Sequence, residues 1–471
     1  MKFVGHDSRI HVIDAESSAW QVLKDITESP LQEEAFYVLD VGDIVRKHKE
    51  WKLKLPRVEP HYAVKCNDSS TVLEVLASLG TGFDCASKVE MSKVLQLGVY
   101  PERIIFANPV KQASHIRHAL TCGVDLMTFD NEVELHKTKA LFPSARLVIR
   151  IRCEAAKAQC PLGMKFGVEL SDAEKLLTVA RDLELNVVGV SFHVGSGCSD
   201  PPVFSRAIAA SRSLFDTAKA LGFDFDLLDI GGGFPGNVGT SIDEIAKVIN
   251  TSLDVHFPEG CGVRVIAEPG RFFVASAYTL ATCVHSKRVV HQDDGDVSFM
   301  YYINDGVYGS FNCLLYDHAV ATPVPVKGMD AGTLSLGSVW GPTCDGLDQV
   351  TGPLMLPEMQ VGDWIAFPNM GAYTLPCAST FNGMPIPRVC AISKECTWLQ
   401  LRGLHPITDD HFIAEGQMMM SPCKIMESEA WEIQGPPSPT DSSASSMSSG
   451  IDCPPLSDPF VNSFFDFEVA N

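Results

Sequence analysis

The chain has 471 residues, of which 37 are Lys or Arg and 58 are Asp or Glu, so its formal net charge is −21 at pH 7. A field of this sign repels phosphate backbones and anionic lipid, which excludes nucleic acid and membrane surfaces as expected partners. A hydrophobic fraction of 45% with 20% charged residues is ordinary for a globular chain and excludes a wholly disordered, collagenous or coiled-coil protein. At roughly 150 residues per domain, the length predicts two or three units.

The compartment is inferred from the N-terminus and the cysteines. Residues 1–7 lack the uninterrupted apolar stretch of a signal peptide, and no later run reaches the ~18 apolar residues of a membrane span. The 15 cysteines form no CxxC pair, and several, such as Cys66 and Cys85, lie inside apolar runs. We therefore expect a soluble cytoplasmic protein with reduced thiols and without a zinc site or other bound metal.

The first predicted elements are a strand at Phe36–Asp40 and a helix at 44–53, while residues 1–35 are expected to join a later β domain. Between residues 61 and 268, short β-branched or aromatic runs alternate with amphipathic stretches, which is typical of repeated βα units. Eight strands in about 200 residues predict a closed (β/α)8 TIM-like barrel within a domain spanning 36–277, with an open doubly wound sheet as the competing topology. The strands are predicted at 61–66, 82–85, 103–107, 125–129, 146–151, 187–194, 226–230 and 263–267. The helices between them include 71–79, 89–97, 132–141, 173–183, 204–221 and 242–257.

The remainder of the chain has a different pattern, with alternating apolar and polar residues and no long helices. This pattern predicts an antiparallel β domain over 278–424. Residues 425–471 are rich in Ser, Pro and acidic residues and cannot bury enough apolar surface to order themselves, which predicts a disordered tail. In the β domain, strands are predicted at 278–285, 299–303, 307–315, 363–367 and 388–392.

Polar side chains end nearly every predicted barrel strand. In a (β/α)8 barrel the loops after the strands share one rim, so that these groups are expected to meet there. Any one of them could merely satisfy backbone groups, but eight in register indicate a site. In chain order they are Lys65, Asp84 with Ser87, Asn108, Asp130, Arg150, His193 with Ser196, the glycines 231–233, and Glu268 with Arg271.

Lys65 ends an apolar run, where a cation has no packing role. A desolvated lysine has a depressed pKa and a free amine that can form a Schiff base. A salt bridge to Asp84 or Glu90 is the alternative interpretation.

Three further features extend this chemistry. The glycines 231–233 allow backbone N–H groups to approach a phosphate, while Glu268 and Arg271 suit a ring nitrogen and a phosphate respectively. His193 adds a flat imidazole, although a lone histidine is more often a core residue. Together with the Lys65 amine, these groups predict a pyridoxal 5′-phosphate site. A dinucleotide site is disfavoured because the glycine spacing is not GxGxxG.

Two carboxylates of the β domain, Asp317 and Asp345, would suit a substrate with a distal ammonium group. Asp317 follows Tyr316 at the end of an apolar run. Asp345 follows Cys344 in a loop-forming segment, where a structural role for the thiol is the alternative.

From about residue 36 to 398 the sequence resembles the eukaryotic ornithine decarboxylases, pyridoxal-phosphate enzymes with the alanine-racemase-like fold. The resemblance implies decarboxylation of L-ornithine to putrescine and CO2. It rests on long motifs at 62–68, 191–198, 229–236, 268–271, 305–312, 340–348 and 369–374.

The resemblance also implies roles for individual residues. Lys65 would bind the cofactor covalently, Glu268 would pair with the pyridine nitrogen, and His193 would stack on the ring. Cys344 would return a proton after CO2 leaves. The other implied cofactor-binding residues are Asp84, Arg150, Ser196, Gly232, Gly233, Arg271 and Tyr373. The implied substrate-binding residues are Tyr316, Asp317, Asp345 and Phe381.

Two alternatives remain open at this stage. Antizyme inhibitors share the fold but have lost the cofactor and catalytic residues, whereas this chain retains Lys65 and Asp84. The other is a decarboxylase of the same fold that acts on lysine, arginine or a neutral amino acid. The two carboxylates for a distal ammonium disfavour a neutral substrate, but sequence does not give the length of the pocket that would separate ornithine from lysine.

The resemblance also implies partners. A head-to-tail homodimer is expected, in which Cys344 and Asp345 reach the Lys65 site of the neighbouring subunit. Residues 111–146 align with the region where antizyme docks on family members.

Overall fold

Eight parallel strands close into a barrel in the computed structural model, which describes residues 9–153, 155–160, 165–291, 297–327 and 334–413. The last strand, Arg264–Ala267, pairs with the first, Val58–Ala63. This closure confirms the predicted barrel and excludes the open sheet. In chain order the strands are Val58–Ala63, Gly82–Cys85, Ile104–Phe106, Leu126–Phe129, Arg146–Arg150, Asn186–Ser191, Leu227–Asp229 and Arg264–Ala267.

A helix follows each barrel strand. Two of these helices begin at side-chain caps, because Ser87 and Asn131 accept hydrogen bonds from backbone N–H groups three residues on. The helix Ala113–Cys122 was not predicted, since its buried side chains, Ile116 and Ala119, give only a short apolar pattern. The eight helices are Ser70–Ser78, Lys88–Gln96, Ala113–Cys122, Glu132–Leu141, Leu170–Asp182, Pro202–Ala220, Asp243–His256 and Arg271–Val274. No helix in the described ranges has the length and apolar composition needed to cross a bilayer.

The barrel has two apolar layers because successive strand residues point to opposite faces. One face of each strand packs against the surrounding helices, as Phe106 does. The other face fills the interior with a separate buried cluster formed by Ile105, Ala107, Leu126, Val148, Val188, Leu227 and Ile266. The barrel is therefore a packed scaffold, and chemistry is confined to its ends.

The second structural unit is a sheet of mixed direction rather than the wholly antiparallel one predicted. Strands from both ends of the chain join it: Ile10–Ile13 and Phe36–Asp40 each pair in parallel with Arg388–Lys394. Phe36–Asp40, which the sequence placed with the barrel segment, thus lies in the sheet, where it also pairs antiparallel with Tyr278–His291. The sheet order is Gln349–Pro357, Leu334–Trp340, Val297–Ile303, Tyr278–His291, Phe36–Asp40, Arg388–Lys394, Ile10–Ile13 and Phe412–Ile413. Trp364–Phe367 pairs with both Tyr278–His291 and Val324–Pro325.

The predicted strand at 307–315 is wrong, because this segment forms a 3-10 turn, Ser310–Asn312, and a short helix, Cys313–Tyr316. The buried carboxylate of Asp305 accepts hydrogen bonds from the backbone N–H groups of Gly306 and Ser310, at 2.8 and 3.1 Å. These bonds favour a turn over an extended chain. The turn and the short helix after it direct the next residue, Asp317, toward the barrel.

A loop from the sheet docks on the rim of the barrel beside Lys65. The side-chain amide of Asn67 donates to the carbonyl of Gly371 at 2.9 Å, and the backbone N–H of Tyr373 donates to the carbonyl of Cys66 at 2.9 Å. Tyr373 has a φ of 56°, in the left-handed region that non-glycine residues rarely adopt. Surrounding contacts therefore hold Tyr373 in place at the rim.

The predicted tail, 425–471, lies outside the described residues.

Candidate active site

Lys65 lies on a 3-10 turn, Val64–Cys66, directly after the first barrel strand. Its Nζ forms an ion pair with the fully buried carboxylate of Asp84, the partner named in the alternative interpretation. Removal from water lowers the pKa of Lys65, but the carboxylates of Asp84 and Glu268 outweigh this effect and raise it. The expectation of a depressed pKa is therefore wrong for the protein without a cofactor, because two carboxylates face one amine.

Glu268 and Asp229 form a buried acidic pair at neighbouring strand ends. Burial raises the pKa of both carboxyl groups, and the charge of each neighbouring carboxylate raises that of Glu268 further. Oδ1 of Asp229 accepts a hydrogen bond from the N–H of Gly231 at 2.9 Å, while its buried Oδ2 has no hydrogen-bond partner among the described residues. The pair therefore favours a bound proton or a nearby cation.

We expect the variant Asp229→Asn to be more stable than the wild type at neutral pH when both lack cofactor. The raised pKa of Asp229, about 7 because of burial, means that the folded state binds a proton more tightly than the unfolded state does. Stability contributed by that proton is present below pH ~4 and is lost as the pH rises toward about 7, by on the order of 4 kcal/mol. Asparagine keeps the acceptor for Gly231 but does not titrate.

Unfolding free energy measured between pH 4 and 8 checks this prediction. The exposed Asp224→Asn variant is the matched control and should retain the wild-type slope. An equally steep slope in Asp229→Asn would contradict the assignment of the buried charge.

His193 is a neutral imidazole. Burial, reinforced by the positive charges of Arg150 and Lys65, holds the pKa of His193 well below its ordinary value. Its Nδ1 accepts a hydrogen bond from the N–H of Gly195 at 3.0 Å, which assigns the ring hydrogen to Nε2. The site thus presents a flat, uncharged ring.

A phosphate-sized cradle lies beside these residues. The guanidinium of Arg271 donates to Ser196 Oγ from Nη2 at 2.8 Å and from Nε at 3.2 Å, and it stacks 5.2 Å from the ring centre of Tyr373. Gly233 has a φ of 112°, and a Cβ there would lie 2.7 Å from the carbonyl oxygen of Gly195. Only glycine permits this close approach of the backbone.

Gly232 keeps space open for a flat group. A Cβ at this position would lie 2.7 Å from Nε2 of His193 and 2.9 Å from the carbonyl oxygen of Glu268. A side chain at this position would therefore collide with the His193 ring and with the backbone of Glu268.

One cavity brings most of the predicted cofactor residues together. It combines an amine, a buried acid, a flat ring and phosphate donors, the set that pyridoxal phosphate requires. The lining consists of Ala63, Lys65, His193, Ser196, Gly232, Gly233, Phe234, Glu268, Gly270, Arg271 and Tyr373.

Two predicted cofactor residues lie outside the lining of this cavity and affect the residues that line it. Asp84 contacts it through Lys65. Arg150 packs its guanidinium 5.2 Å from the ring centre of Phe166, and its charge lowers the pKa of His193 after burial does.

The predicted substrate residues are placed differently. Asp317 is 4% exposed and forms an ion pair with Arg271, with Oδ1 2.7 Å from Nη2 and Oδ2 3.0 Å from Nη1. Tyr316 is 73% exposed. Asp317 therefore adjoins the phosphate cradle, whereas the Tyr316 ring projects into solvent.

Cys344, Asp345 and Phe381 form a second cluster, on the sheet domain. The hydroxyl of Tyr308 donates to Asp345, and the Tyr308 ring packs 4.4 Å from that of Phe381. The backbone N–H of Cys344 donates to Oδ1 of Asn382 at 3.1 Å, and the Cys344 side chain is exposed. Within the described residues, none of these side chains lines the Lys65 cavity.

Sequence reasoning missed several residues of the site, and three of them make polar contacts that bear on its chemistry. Asp229, Tyr308 and Gln159 each contact a predicted residue: Asp229 lies beside Glu268, Tyr308 bonds Asp345, and Gln159 bonds Asp317. Asp229 ends a barrel strand and could have been found by the same rule as its neighbours. Tyr308 lies within the motif at 305–312, although no role was predicted for it, and Gln159 has no local signal.

Comparison with known proteins identifies the family in which this set of site residues occurs. The family described as "Pyridoxal-dependent decarboxylase, pyridoxal binding domain" matches residues 41–275. Ornithine decarboxylase of Mus pahari is 47% identical over 443 residues, which cover 89% of this chain and 95% of the relative. The chain belongs to the eukaryotic ornithine decarboxylase family.

Other relatives of this family differ in their named activities. Antizyme inhibitor 2 of Xenopus laevis is 49% identical over 80% of this chain and 85% of its own length. The arginine decarboxylase of Paramecium bursaria Chlorella virus, solved with agmatine, has a TM-score of 0.75 at 36% identity, covering 79% of this chain and all of that one. The lysine/ornithine decarboxylase of Vibrio vulnificus, solved with putrescine, has a TM-score of 0.71 at 32% identity, covering 81% and 99%. Similarity of fold therefore does not determine which amino acid is the substrate.

The cofactor of this family is pyridoxal 5′-phosphate, and the cavity fits it. Lys65 would supply the amine for covalent attachment, and Glu268 would supply the acid for the pyridine nitrogen. Arg271, Ser196 and the backbone of Gly233 would hold the phosphate. The carboxylate of Asp84, whose Oδ2 pairs with Nζ of Lys65, holds the Lys65 ammonium at the edge of this cavity.

Proposed function

We propose that this protein decarboxylates L-ornithine to putrescine and CO2 with pyridoxal phosphate as cofactor. The observation that carries the proposal is the Lys65–Asp84 pair facing Glu268 across one cavity. The ornithine decarboxylases at 47–48% identity, matched over 93–95% of their length, support ornithine as the substrate.

The residues of the cavity have separate roles in the proposed decarboxylation. When bound, the pyridine ring supplies a sink for the electron pair that remains at Cα when CO2 departs. Glu268, held beside Asp229, would pair with the ring nitrogen and favour a positive charge there, and neutral His193 would lie against the ring without opposing that charge. Because these groups are fixed before the reaction, they stabilise charge as it develops. Cys344 is proposed to return a proton to Cα.

An inactive regulator is the competing function, because one relative at 49% identity is an antizyme inhibitor. Retention of Lys65, Asp84 and the phosphate cradle around Arg271 favours the enzyme. A lysine substrate is the other alternative, since lysine is one methylene longer than ornithine and carries the same distal ammonium.

An absorbance scan of the purified protein, combined with a CO2-release panel, tests the proposal. The panel contains ornithine, lysine, arginine and leucine at equal concentration. We expect a bound-cofactor band and fastest release from ornithine. A protein without either would be the regulator, and preferential release from lysine would reassign the substrate.

The active unit is proposed to be a head-to-tail homodimer. Cys344 is exposed, and the lining of the Lys65 cavity among the described residues of the same chain contains no thiol and none of the side chains of the Cys344 cluster. A second copy could supply that cluster, since a two-fold dimer forms each contact twice. This arrangement would complete both sites together.

Antizyme binding through residues 111–146 is a further proposal. Leu120 and Val133, 47% and 75% exposed, lie on the two helices of this segment and offer apolar contact. Lys111 and Glu134 are buried in an ion pair of 2.8 Å and serve the fold instead. Titration calorimetry with purified antizyme tests this surface.

A cytoplasmic location is also proposed. In the described ranges every cysteine is a free thiol, which suits a reducing compartment.

A further inference from the structure

Gln159 lies on a short strand that packs against the phosphate cradle. The strand Ala158–Cys160 pairs antiparallel with Ser196–Cys198, so Gln159 lies opposite Gly197. Gly197 has a φ of 62°, and a Cβ there would lie 2.9 Å from Cβ and from Oε1 of Gln159. The glycine therefore makes room for the glutamine side chain beside the site.

The side-chain amide of Gln159 holds Asp317 by two hydrogen bonds. Its Nε2 donates to the backbone carbonyl of Asp317 at 2.6 Å and to Oδ2 at 3.1 Å. Arg271 holds the same carboxylate from the other side, at 2.7 and 3.0 Å, while also donating to Ser196. Both oxygens of a carboxylate that is only 4% exposed are thus fixed by donors on separate elements.

The neighbouring thiol supports this arrangement. Cys160 Sγ lies 3.4 Å from the backbone oxygen of Asp317 and 3.6 Å from Oδ1. Burial and the nearby Asp317 charge raise the pKa of Cys160 to about 11, so that at neutral pH the thiol keeps its hydrogen for donation. The strand Ala158–Cys160 thus provides two uncharged donors, Gln159 Nε2 and Cys160 Sγ, to Asp317.

The charges around Asp317 explain why a neutral donor matters. Arg271 carries one positive charge, and a phosphate in the cradle would share its guanidinium with Asp317. A lysine or arginine at position 159 would cancel the attraction of Asp317 for a substrate cation, whereas an amide orients the carboxylate and leaves its charge in place.

We propose that Gln159 is a positioning residue that orients the Asp317 carboxylate toward the distal ammonium group of the diamino acid. The inference rests on the proposed function and adds a specificity determinant to it. Hydrogen bonds to a charged group contribute more than neutral ones, so their loss is expected to weaken recognition of the distal ammonium about tenfold.

Two amine probes isolate this contribution on the cofactor-loaded, full-length protein. 1,4-Diaminobutane carries the distal ammonium, and 1-aminobutane does not, so the ratio of their dissociation constants reports on recognition of that ammonium. The variants are Gln159→Met and Gln159→Leu, which replace the amide donor with an apolar side chain of similar length. The exposed Gln96→Met is the matched control.

By calorimetry, we expect both position-159 variants to bind the diamine about tenfold more weakly and the monoamine unchanged. With ornithine, KM should rise by a similar factor while kcat stays within about twofold, because the reacting end of the substrate is untouched. Gln96→Met should match the wild type.

Equal weakening of both probes, or no weakening of either, would overturn the positioning role. So would a loss confined to kcat or to cofactor content. If the wild type releases no CO2 from any amino acid, the proposed function fails, and the ratio of the two amine affinities still decides the role of Gln159.

Discussion

Replacing Lys65 by alanine is expected to abolish decarboxylation, with a fall in kcat/KM of about 10^4-fold or more. Lys65 is the amine that lines the cavity, and its Nζ is held by Asp84. Without that amine, the cofactor can bind only through contacts such as those of Arg271 and Ser196. CO2 release from ornithine measures the loss, and the absorbance of covalently bound cofactor should disappear with it.

Two further variants separate covalent chemistry from electrostatics. Lys65→Arg keeps a positive charge beside Asp84 and should fold with near wild-type stability, yet it should remain inactive. Lys93→Ala removes another lysine from an ion pair, with Asp68, and should keep activity within about twofold. Substantial turnover by Lys65→Ala would show that the reaction does not depend on this amine.

Mixing Lys65→Ala protein with Cys344→Ala protein is expected to restore activity that neither possesses. In a shared-site dimer, Lys65 of one subunit works with Cys344 of the other. Random reassortment of equal amounts makes half of the dimers mixed, and each mixed dimer has one intact site. Activity should therefore reach about a quarter of the wild-type value.

The doubly substituted chain, Lys65→Ala with Cys344→Ala, supplies the control because its mixture with either single variant cannot form an intact site. Cys261 is an exposed thiol that is distant in sequence from the Cys344 cluster, so the Cys261→Ala variant should be fully active by itself. Absence of rescue after verified subunit exchange would place both residues in one chain or remove Cys344 from the reaction.

Much of the fold could be predicted from local patterns. The eight barrel strands follow from runs of β-branched residues separated by amphipathic helices, and the observed bounds differ from the predicted ones by a few residues. The strand Phe36–Asp40 was assigned to the wrong unit because its partners, such as Arg388–Lys394, lie about 350 residues away. No local pattern encodes such a pairing.

Individual site residues were also predictable, whereas their pairings were not. Lys65 and Glu268 are conspicuous as charged groups at the ends of apolar strands. The sign of the Lys65 pKa shift depends on how many carboxylates surround the amine, and only the folded barrel determines that number. The contacts of Asp317 with Arg271 and Gln159 span 46 and 158 residues and depend on the unpredicted turn before Asp317.

Mapping the covalently bound cofactor tests the central claim most directly. The purified protein is treated with borohydride, which fixes the cofactor to its lysine, and is then digested for peptide mass spectrometry. The account predicts a single pyridoxyl group on the peptide that contains Lys65. An unmodified Lys65 peptide, or a pyridoxyl group on another lysine, would contradict it.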